Sequence, residues 1–201
     1  SMSGRTFGLA GIFSITAFGG GHAGTISISA PILKMDGPTL IDARTIGDRD
    51  AGDVQIQVGK LQLTGGAQIG TTSGIASIET GDVVVGKGQA GSVTISAADS
   101  ISIYGHDRSG LVSGLFSQTG STSQEGKHGL ISVFTPHLMM TDGSRIGTDT
   151  ASDARGGDIR VDVGSLSLAG GAEISSGSGI PVGSKLFVGK GQGGDIQVDA
   201  S

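Results

Sequence analysis

The stretch Gly157-Asp-Ile-Arg-Val-Asp-Val-Gly-Ser-Leu-Ser-Leu-Ala-Gly-Gly-Ala-Glu-Ile-Ser-Ser176 decides the fold, because it repeats the pattern of Gly52 to Thr71 at a distance of 105 residues. After its opening glycine, apolar residues occupy every second position, at Ile159, Val161 and Val163. Period two indicates a β-strand with one buried face. The Gly-Gly pair that follows suits a sharp corner, since glycine adopts positive φ without strain.

The same opening recurs along the whole chain. Turns start near Gly24, Gly52, Gly91, Gly129, Gly157 and Gly194, and their short-long-long spacing gives a three-turn super-repeat of 105 residues. A fixed period of this kind indicates stacked structural units. Within a turn, a second alternating pair such as Leu61 and Leu63 and a third apolar position such as Ile69 follow the first strand, so that three short strands meet at three corners.

These patterns predict an all-β fold, a right-handed parallel β-helix (solenoid) of about six turns. We take the handedness from the general bias of parallel crossover connections. Residues 1–201 then form a single β-helix fragment of a longer protein. No segment has the apolar stripe of period 3.6 that an amphipathic helix requires.

Composition agrees with a narrow coil and excludes several classes of function. The chain has 39 Gly among 201 residues and only 3% aromatic residues, as expected where aligned aliphatic side chains fill a thin core. The net charge is −5 and no run of Lys or Arg occurs, which argues against nucleic-acid binding. The sequence contains no stretch of about 18 apolar residues, which is the length that would predict a membrane span. The absence of Cys excludes disulfides.

The turns beginning at Gly157, with Gly156 before it, and at Gly52 resemble the passenger repeats of the filamentous haemagglutinin family. The resemblance covers essentially the whole chain, although the chain lacks the Asn that is frequent in the family. It implies a right-handed parallel β-helix, two-partner secretion through an outer-membrane transporter, and a role in adhesion, either secreted or at the cell surface. The amino-terminal secretion domain of the family is not present in these residues.

Candidate chemical sites are few. Acidic and polar residues alternate with the buried positions and form outward columns, among them Asp158 on Asp195 and Asp162 on Asp199, whose repulsion a cation or Arg160 would have to screen. Other carboxylates are expected in corners, and four His residues show no ligand spacing. We therefore predict no catalytic, cofactor-binding or metal-binding residue, and no cofactor. The corner carboxylates are Asp42, Asp48, Asp50, Asp149 and Asp153.

The three long turns carry about ten extra residues each, in predicted long loops at 74–89, 106–127 and 177–192. Loops on a rigid scaffold often carry function. Apolar triplets in the first and third loop are expected either to form a small extra strand packed along the rod or to leave Val84 or Phe187 outward. Together with Phe134, which the alternation places outward, these two residues form a possible interaction surface.

Three functions from different classes fit these observations. The first is a non-enzymatic structural stalk, which the duplicated unit favours because repetition lengthens a spacer without new chemistry. The second is a direct adhesin segment that binds host or neighbouring-cell glycan or protein through the long loops. The third is a carbohydrate-active β-helix enzyme. Open edge strands additionally predict end-to-end self-association.

The alternation also predicts the effect of substitutions. Replacement of Ile56, Val161 or Leu168 by Asp should unfold the rod locally, because each places an unpaired charge inside a dry stack. Replacement of Gln55, Arg160 or Asp162 by Ala should change the free energy of unfolding by no more than about 0.5 kcal/mol. Thermal unfolding followed by circular dichroism measures both sets, and equal losses in the two sets would contradict the assignment of the buried face.

Overall fold

The structure is a computed structural model and describes residues 10–16, 21–76, 83–84, 87–120, 129–150, 153, 155–182, 185–187 and 191–201. These residues form sixteen β-strands and no helix. The strands are β1 (Ala10–Thr16), β2 (Ile26–Asp36), β3 (Thr39–Thr45), β4 (Val54–Thr64), β5 (Gln68–Ser73), β6 (Ile75–Ala76), β7 (Val83–Val84), β8 (Val93–Tyr104), β9 (Gly114–Thr119), β10 (Leu130–Thr141), β11 (Arg145–Thr150), β12 (Asp158–Leu168), β13 (Glu173–Ser178), β14 (Ile180–Val182), β15 (Lys185–Phe187) and β16 (Ile196–Ala200).

Twelve of these strands form two parallel sheets. Sheet A has the order β1-β3-β5-β9-β11-β13, and sheet B has the order β16-β12-β10-β8-β4-β2. Successive strands of this set alternate between the two sheets, and each strand pairs in parallel with its neighbours in its own sheet. The all-β prediction is therefore confirmed for the described residues, and the architecture is two six-stranded parallel sheets.

One hydrophobic core lies between the sheets. Equivalent residues stand in register on adjacent strands, as Ile41, Ile69 and Leu115 do in sheet A and Val54, Val93 and Ile131 in sheet B. Nearly all of them are fully buried and belong to the same cluster. Like side chains stacked at the strand spacing fill this core without aromatic rings.

The first two predicted strands of a turn are one continuous strand in the structure. In β4 the buried residues Val54, Ile56 and Val58 are followed by Leu61 and Leu63, so the alternation shifts at residues 59–60. The ladder to β2 nevertheless continues across this shift. From the sequence alone this shift in alternation is interpreted as a corner between two strands. In the structure, backbone pairing continues through residues 59–60 and gives one strand of 11 residues.

Two further predictions need correction. The predicted loop 106–127 contains β9, which pairs with β5 and β11 in sheet A. Only Leu115 marks the apolar inner face of β9, since Ser117 and Thr119 are its other inward residues, and this leaves little alternation to detect. Leu168 is 45% exposed rather than buried, because the pairing of β16 with β12 stops at Val163.

The other two predicted loops contain short antiparallel hairpins. Within 74–89, β6 pairs with β7, and within 177–192, β14 pairs with β15. Part of each loop lies outside the described residues. The first residues of the segment 106–127 form a turn in which the Asp107 carboxylate accepts hydrogen bonds from the backbone N–H groups of Ser109 and Leu111, at 2.8 and 2.9 Å.

The anchor glycines form a column in which a side chain has no room. A Cβ atom on Gly52 would collide with the carbonyl oxygen of Gly24, and one on Gly91 would collide with that of Gly52. Gly157 and Gly194 meet the carbonyl oxygens of Gly129 and Gly157 in the same way. Close backbone approach thus requires glycine at the start of these turns.

Hydroxyl groups from the inner face of sheet A satisfy the carbonyls of this column. Thr71 and Ser117 donate to the Gly91 carbonyl at 2.8 and 3.1 Å. Thr148 and Ser176 donate to the Gly157 carbonyl at 2.6 and 2.9 Å. Buried polar groups are stable only when hydrogen-bonded, so the small hydroxyls of sheet A and the glycines that precede sheet B support each other.

We expect Gly91→Ala to lower the free energy of unfolding by about 1–3 kcal/mol, because the added methyl group overpacks the column. Gly21→Ala is the matched control, since no atom lies within 4 Å of a Cβ atom at that position. Urea unfolding followed by circular dichroism compares the two variants with the parent chain. Equal midpoints for the two variants would contradict the close approach of the glycines.

Candidate functional site

The outward face of sheet A carries the buried carboxylates of the described residues. Columns of outward residues run across its strands, and two of them contain the buried carboxylates. One column is Phe13, Asp42, Gly70, Phe116, Gly147 and Ser175, and the column beside it is Ile15, Arg44, Thr72, Gln118, Asp149 and Gly177. Asp42 and Asp149 are 1% and 2% exposed, and Phe116 is 8% exposed. The described part of sheet B has no buried carboxylate.

Asp42 lies in the middle of β3 and forms an ion pair with Arg44 two residues later. The Arg44 Nε atom donates to the Asp42 carboxylate at 2.5 Å, and the Thr72 hydroxyl donates to it from β5 at 3.3 Å. Burial raises the pKa of Asp42, while the charge and hydrogen bonds of Arg44 act in the opposite direction. The Arg44 guanidinium therefore offsets part of the cost of burying the Asp42 carboxylate.

Asp149 on β11 is likewise a buried carboxylate paired with an arginine of its own strand. Arg145 donates two hydrogen bonds to its carboxylate, at 2.7 and 2.8 Å, and the same guanidinium lies 2.6 Å from a carboxylate oxygen of Glu173 on β13. Burial raises the pKa of Asp149, the hydrogen bonds and charge of Arg145 lower it, and the negative charge of Glu173 raises it. Arg145 thus binds Asp149 of its own strand and also links β11 to β13 through Glu173.

The positions of Asp42 and Asp149 correct the prediction that they lie in corners. Both lie within strands, because the outward positions of sheet A alternate with the inward residues that the sequence pattern marks. Asp48, Asp50 and Asp153 lie outside the strands as predicted. The available signal is an even spacing between opposite charges within one strand, two residues for Asp42 and Arg44 and four for Arg145 and Asp149, which puts both side chains on one face.

A shallow groove crosses this face between the two ion pairs. Its lining combines charged, amide, hydroxyl and aromatic groups, with glycine at two places where the face is depressed. Amide and hydroxyl groups both donate and accept hydrogen bonds, so the groove can bind a polar ligand. The groove is lined by Leu40, Asp42, Arg44, Gln68, Gly70, Thr72, Gly74, Phe116 and Gln118.

The predicted interaction residues do not lie in this groove. Phe134 lies on the outward face of β10, half-buried between its register partners Ser96 and Asp162, as the alternation predicts for its direction. Val84 and Phe187 belong to the hairpin strands β7 and β15, and their side chains lie outside the described residues. The structure therefore places the three residues on three separate elements, and their role as an interaction surface stays a prediction.

Outward acidic residues of the turns accept hydrogen bonds from the backbone. The carboxylates of Asp50, Asp53 and Asp158 accept hydrogen bonds from backbone N–H groups of the following turn, at 2.9, 2.8 and 2.8 Å. Arg155 screens the stacked pair Asp158 and Asp195, at 2.8 and 3.0 Å. Arg160, which is predicted to screen the stacked acidic residues, lies 4.0 Å from Asp162 of the second pair.

No group of three or more metal-binding side chains occurs within the described ranges. The same ranges hold no helix with the length and hydropathy of a membrane span. Comparison of the chain with protein-family models, curated proteins and solved structures finds no match.

Removal of Arg44 should destabilise the protein in a pH-dependent way. Arg44→Ala leaves the buried Asp42 carboxylate unpaired at neutral pH, which costs about 3–5 kcal/mol. Because burial raises the pKa of Asp42, protonation relieves this cost as the pH falls towards about 3.9, the ordinary value of an Asp carboxyl. Denaturant unfolding at a series of pH values measures the difference from the parent chain.

Two variants control this experiment. Asp42→Asn combined with Arg44→Ala should recover most of the loss at neutral pH, since no charge then remains buried. Arg160→Ala removes an exposed arginine at 4.0 Å from its partner and should have a small effect at every pH. A loss for Arg44→Ala that is independent of pH would contradict the proposed origin.

Proposed function

We propose that this chain is a right-handed parallel β-helix of about six turns that serves as a non-enzymatic stalk segment of a large exported adhesin-type protein. The proposal includes secretion or display at the cell surface and export through an outer-membrane transporter, as the resemblance to the filamentous haemagglutinin family implies. In this role the rod holds a distal element away from the cell. The resemblance rests on the repeated turns at Gly52 and Gly157.

One observation carries the proposal: both sheets run through two copies of a three-strand unit without a break. In sheet A the unit β1, β3 and β5 is followed by β9, β11 and β13, and in sheet B the unit β2, β4 and β8 is followed by β10, β12 and β16. Corresponding residues of the two units are 103 or 105 residues apart, as Ile41 is from Ile146 and Val93 from Ile196. Repetition of such a unit extends a rod and demands no new contact type.

The alternation of strands between the sheets supports the coiled form. A chain that leaves sheet A, crosses in sheet B and returns parallel to its own previous strand makes one turn of a helix. Each turn adds about 4.8 Å along the axis, so six turns extend about 29 Å. Parallel crossovers in proteins are right-handed in the great majority of cases, which supports the handedness.

The placement of the buried carboxylates supports a non-enzymatic role. Asp42 and Asp149 lie on β3 and β11, which are three strand spacings or about 14 Å apart. Paired carboxylates that hydrolyse glycosidic bonds lie about 5–9.5 Å apart. Each of the two is also bound by an arginine of its own strand, so its carboxylate oxygens are engaged within the sheet.

A second function, direct binding of a glycan or protein, is favoured by the groove on sheet A. Gln118, Thr72 and Gln68 offer polar groups beside the ring of Phe116. Ligand sites in proteins commonly combine an apolar surface with a few placed polar groups. In this alternative the strand face rather than the long loops would carry the contact.

Deletion of one super-repeat tests the stalk. Removal of residues 52–156 joins Ala51 to Gly157, which is equivalent to Gly52. We expect a folded, shorter chain with an unchanged circular dichroism spectrum per residue and a particle about 14 Å shorter in small-angle X-ray scattering. Removal of residues 52–140 is the control, because it joins Ala51 to Thr141 and leaves an incomplete turn. An unfolded product from the first deletion would contradict the proposal.

Binding experiments with the parent chain and two point variants distinguish the two functions. Purified chain applied to an array of glycans and matrix proteins should bind nothing if it is a stalk. Binding that is lost in Gln118→Ala and retained in Gln55→Ala, an outward glutamine of sheet B, would replace the stalk by the direct adhesin. Turnover of a polysaccharide by the purified chain would replace both.

A further inference from the structure

The groove across sheet A contains polar groups whose hydrogen-bonding roles are fixed by contacts inside the protein. The lining residues with such groups are Arg44, Gln68, Thr72 and Gln118. A hydroxyl or an amide can donate and accept, whereas a carbonyl or an ionised carboxylate can only accept. The protein partner of each group therefore shows which of its atoms is left for a ligand.

Gln68 turns the nitrogen of its amide towards the protein. Its Nε2 atom donates to the backbone carbonyl of Val112 at 3.0 Å. Because a carbonyl oxygen cannot donate, this contact requires the nitrogen and not the oxygen of the amide. The described residues provide no donor to the Oε1 atom, and the side chain is half-buried at the start of β5. Gln68 thus offers a ligand an acceptor oxygen.

Thr72 and Gln118 are arranged in the same way. The Thr72 hydroxyl donates to the Asp42 carboxylate at 3.3 Å, and the Gln118 side chain forms a hydrogen bond with the Asp149 carboxylate. Both contacts use hydrogen atoms of the donor and leave its oxygen with free lone pairs. Thr72 and Gln118 are register partners on β5 and β9, so the two oxygens belong to strands about 4.8 Å apart.

The charges of the groove cancel. Asp42 and Arg44 are the only charged residues of its lining. Arg44 donates from Nε to the Asp42 carboxylate at 2.5 Å and pairs with it through Nη2 as well. The described residues provide no acceptor for the remaining Nη1 group of this guanidinium. A ligand therefore meets one donor group, from Arg44, and no net charge.

We infer that this groove binds a neutral polyhydroxylated ligand, an uncharged oligosaccharide, whose hydroxyl groups donate to the oxygens of Gln68, Thr72 and Gln118 and accept from Arg44. A hydroxyl group suits both roles, since it donates and accepts. A carboxylate or sulfate group has no hydrogen for the three oxygens. An ammonium group has no lone pair for Arg44 and carries the same charge. Apolar surface from Phe116 completes the lining, as in many ligand sites.

The length of the groove favours several linked rings over one. Gln68 and Thr72 are four residues apart on β5, which corresponds to about 13 Å along a strand. A chain of hydroxyl-bearing rings reaches both residues, whereas a single ring does not. This ligand class presupposes the direct-binding function of the groove, and the stalk requires no ligand.

Titration of the full 201-residue chain, followed by nuclear magnetic resonance, tests the need for hydroxyl donors. The probes are cello-oligosaccharides and galacto-oligosaccharides, each compared with its O-methylated form, which keeps the oxygen atoms and loses the hydroxyl hydrogens. At millimolar concentration the free oligosaccharides should shift the side-chain amide signals of Gln68 and Gln118, and the methylated forms should not. Equal shifts with both forms would overturn the assignment of the acceptors.

Charged counterparts of the same probe test the selectivity for a neutral ligand. Cellouronate carries a carboxylate in place of the primary hydroxyl of each glucose ring, and chitosan oligosaccharide carries an ammonium group in place of a secondary hydroxyl. Both should bind about tenfold more weakly than the cello-oligosaccharide, because each leaves a polar group of the groove without its partner. Tighter binding of either charged form would overturn the ligand class.

Gln68→Ala and Gln62→Ala form a matched pair of variants. Both residues are half-buried glutamines, on β5 of sheet A and on β4 of sheet B. Gln68→Ala should weaken binding of the neutral oligosaccharide by about two- to tenfold, the loss expected for one hydrogen bond, and Gln62→Ala should leave it unchanged. Circular dichroism checks that both variants are folded. Equal affinities of the two folded variants would overturn the inference.

The outcomes for the groove and for the stalk are independent. If no neutral oligosaccharide shifts the signals of the groove residues, the proposed ligand class is overturned and the stalk stands. If deletion of one super-repeat gives an unfolded product, the stalk is contradicted, and the titration of the parent chain still decides whether the groove binds its ligand.

Discussion

The close stacking of the anchor glycines is the constraint on which the rest of the structure depends. Where Gly52 lies against Gly24 and Gly91 against Gly52, the chain passes close to its own previous turn, and a Cβ atom would meet a carbonyl oxygen. This approach fixes the start of each sheet B strand relative to the one before it. Once the start is fixed, the side-chain period of two places every following apolar residue on its equivalent.

Stability in such a molecule comes from contacts between adjacent turns. Hydroxyls of sheet A bind the carbonyls of Gly91 and Gly157, and carboxylates such as those of Asp53 and Asp158 bind amides of the following turn. These polar contacts satisfy buried and corner groups that no apolar core could satisfy. They also hold the corners in place, and the outward positions of the strands remain free to carry other chemistry.

Sheet A uses that freedom in a way that sheet B does not. It carries the buried pairs of Asp42 with Arg44 and of Asp149 with Arg145, and it leaves a polar groove between them. A buried ion pair adds little net stability over an apolar pair, but the loss of one partner is costly. The proposed stalk requires only that these pairs hold the outer face of the sheet together. The direct-adhesin alternative would give the groove a ligand.

The sequence by itself determined the strand content, the parallel stacking and most of the buried residues. It did so because Ile159, Val161 and their equivalents repeat with period two inside a strand and again at each new turn, and only in-register parallel strands satisfy both periods. Tertiary structure decided what that pattern leaves open. β9 has too few apolar residues to be recognised alone, and its pairing with β5 and β11 makes it a strand. Asp42 is of a residue type that is common in corners, and only the strands on either side of β3 bury it beside Arg44. The burial of an outward residue depends on the side chains beside it on neighbouring strands. Those side chains are distant in sequence: Thr72, which donates a hydrogen bond to Asp42, lies 30 residues from it in the chain.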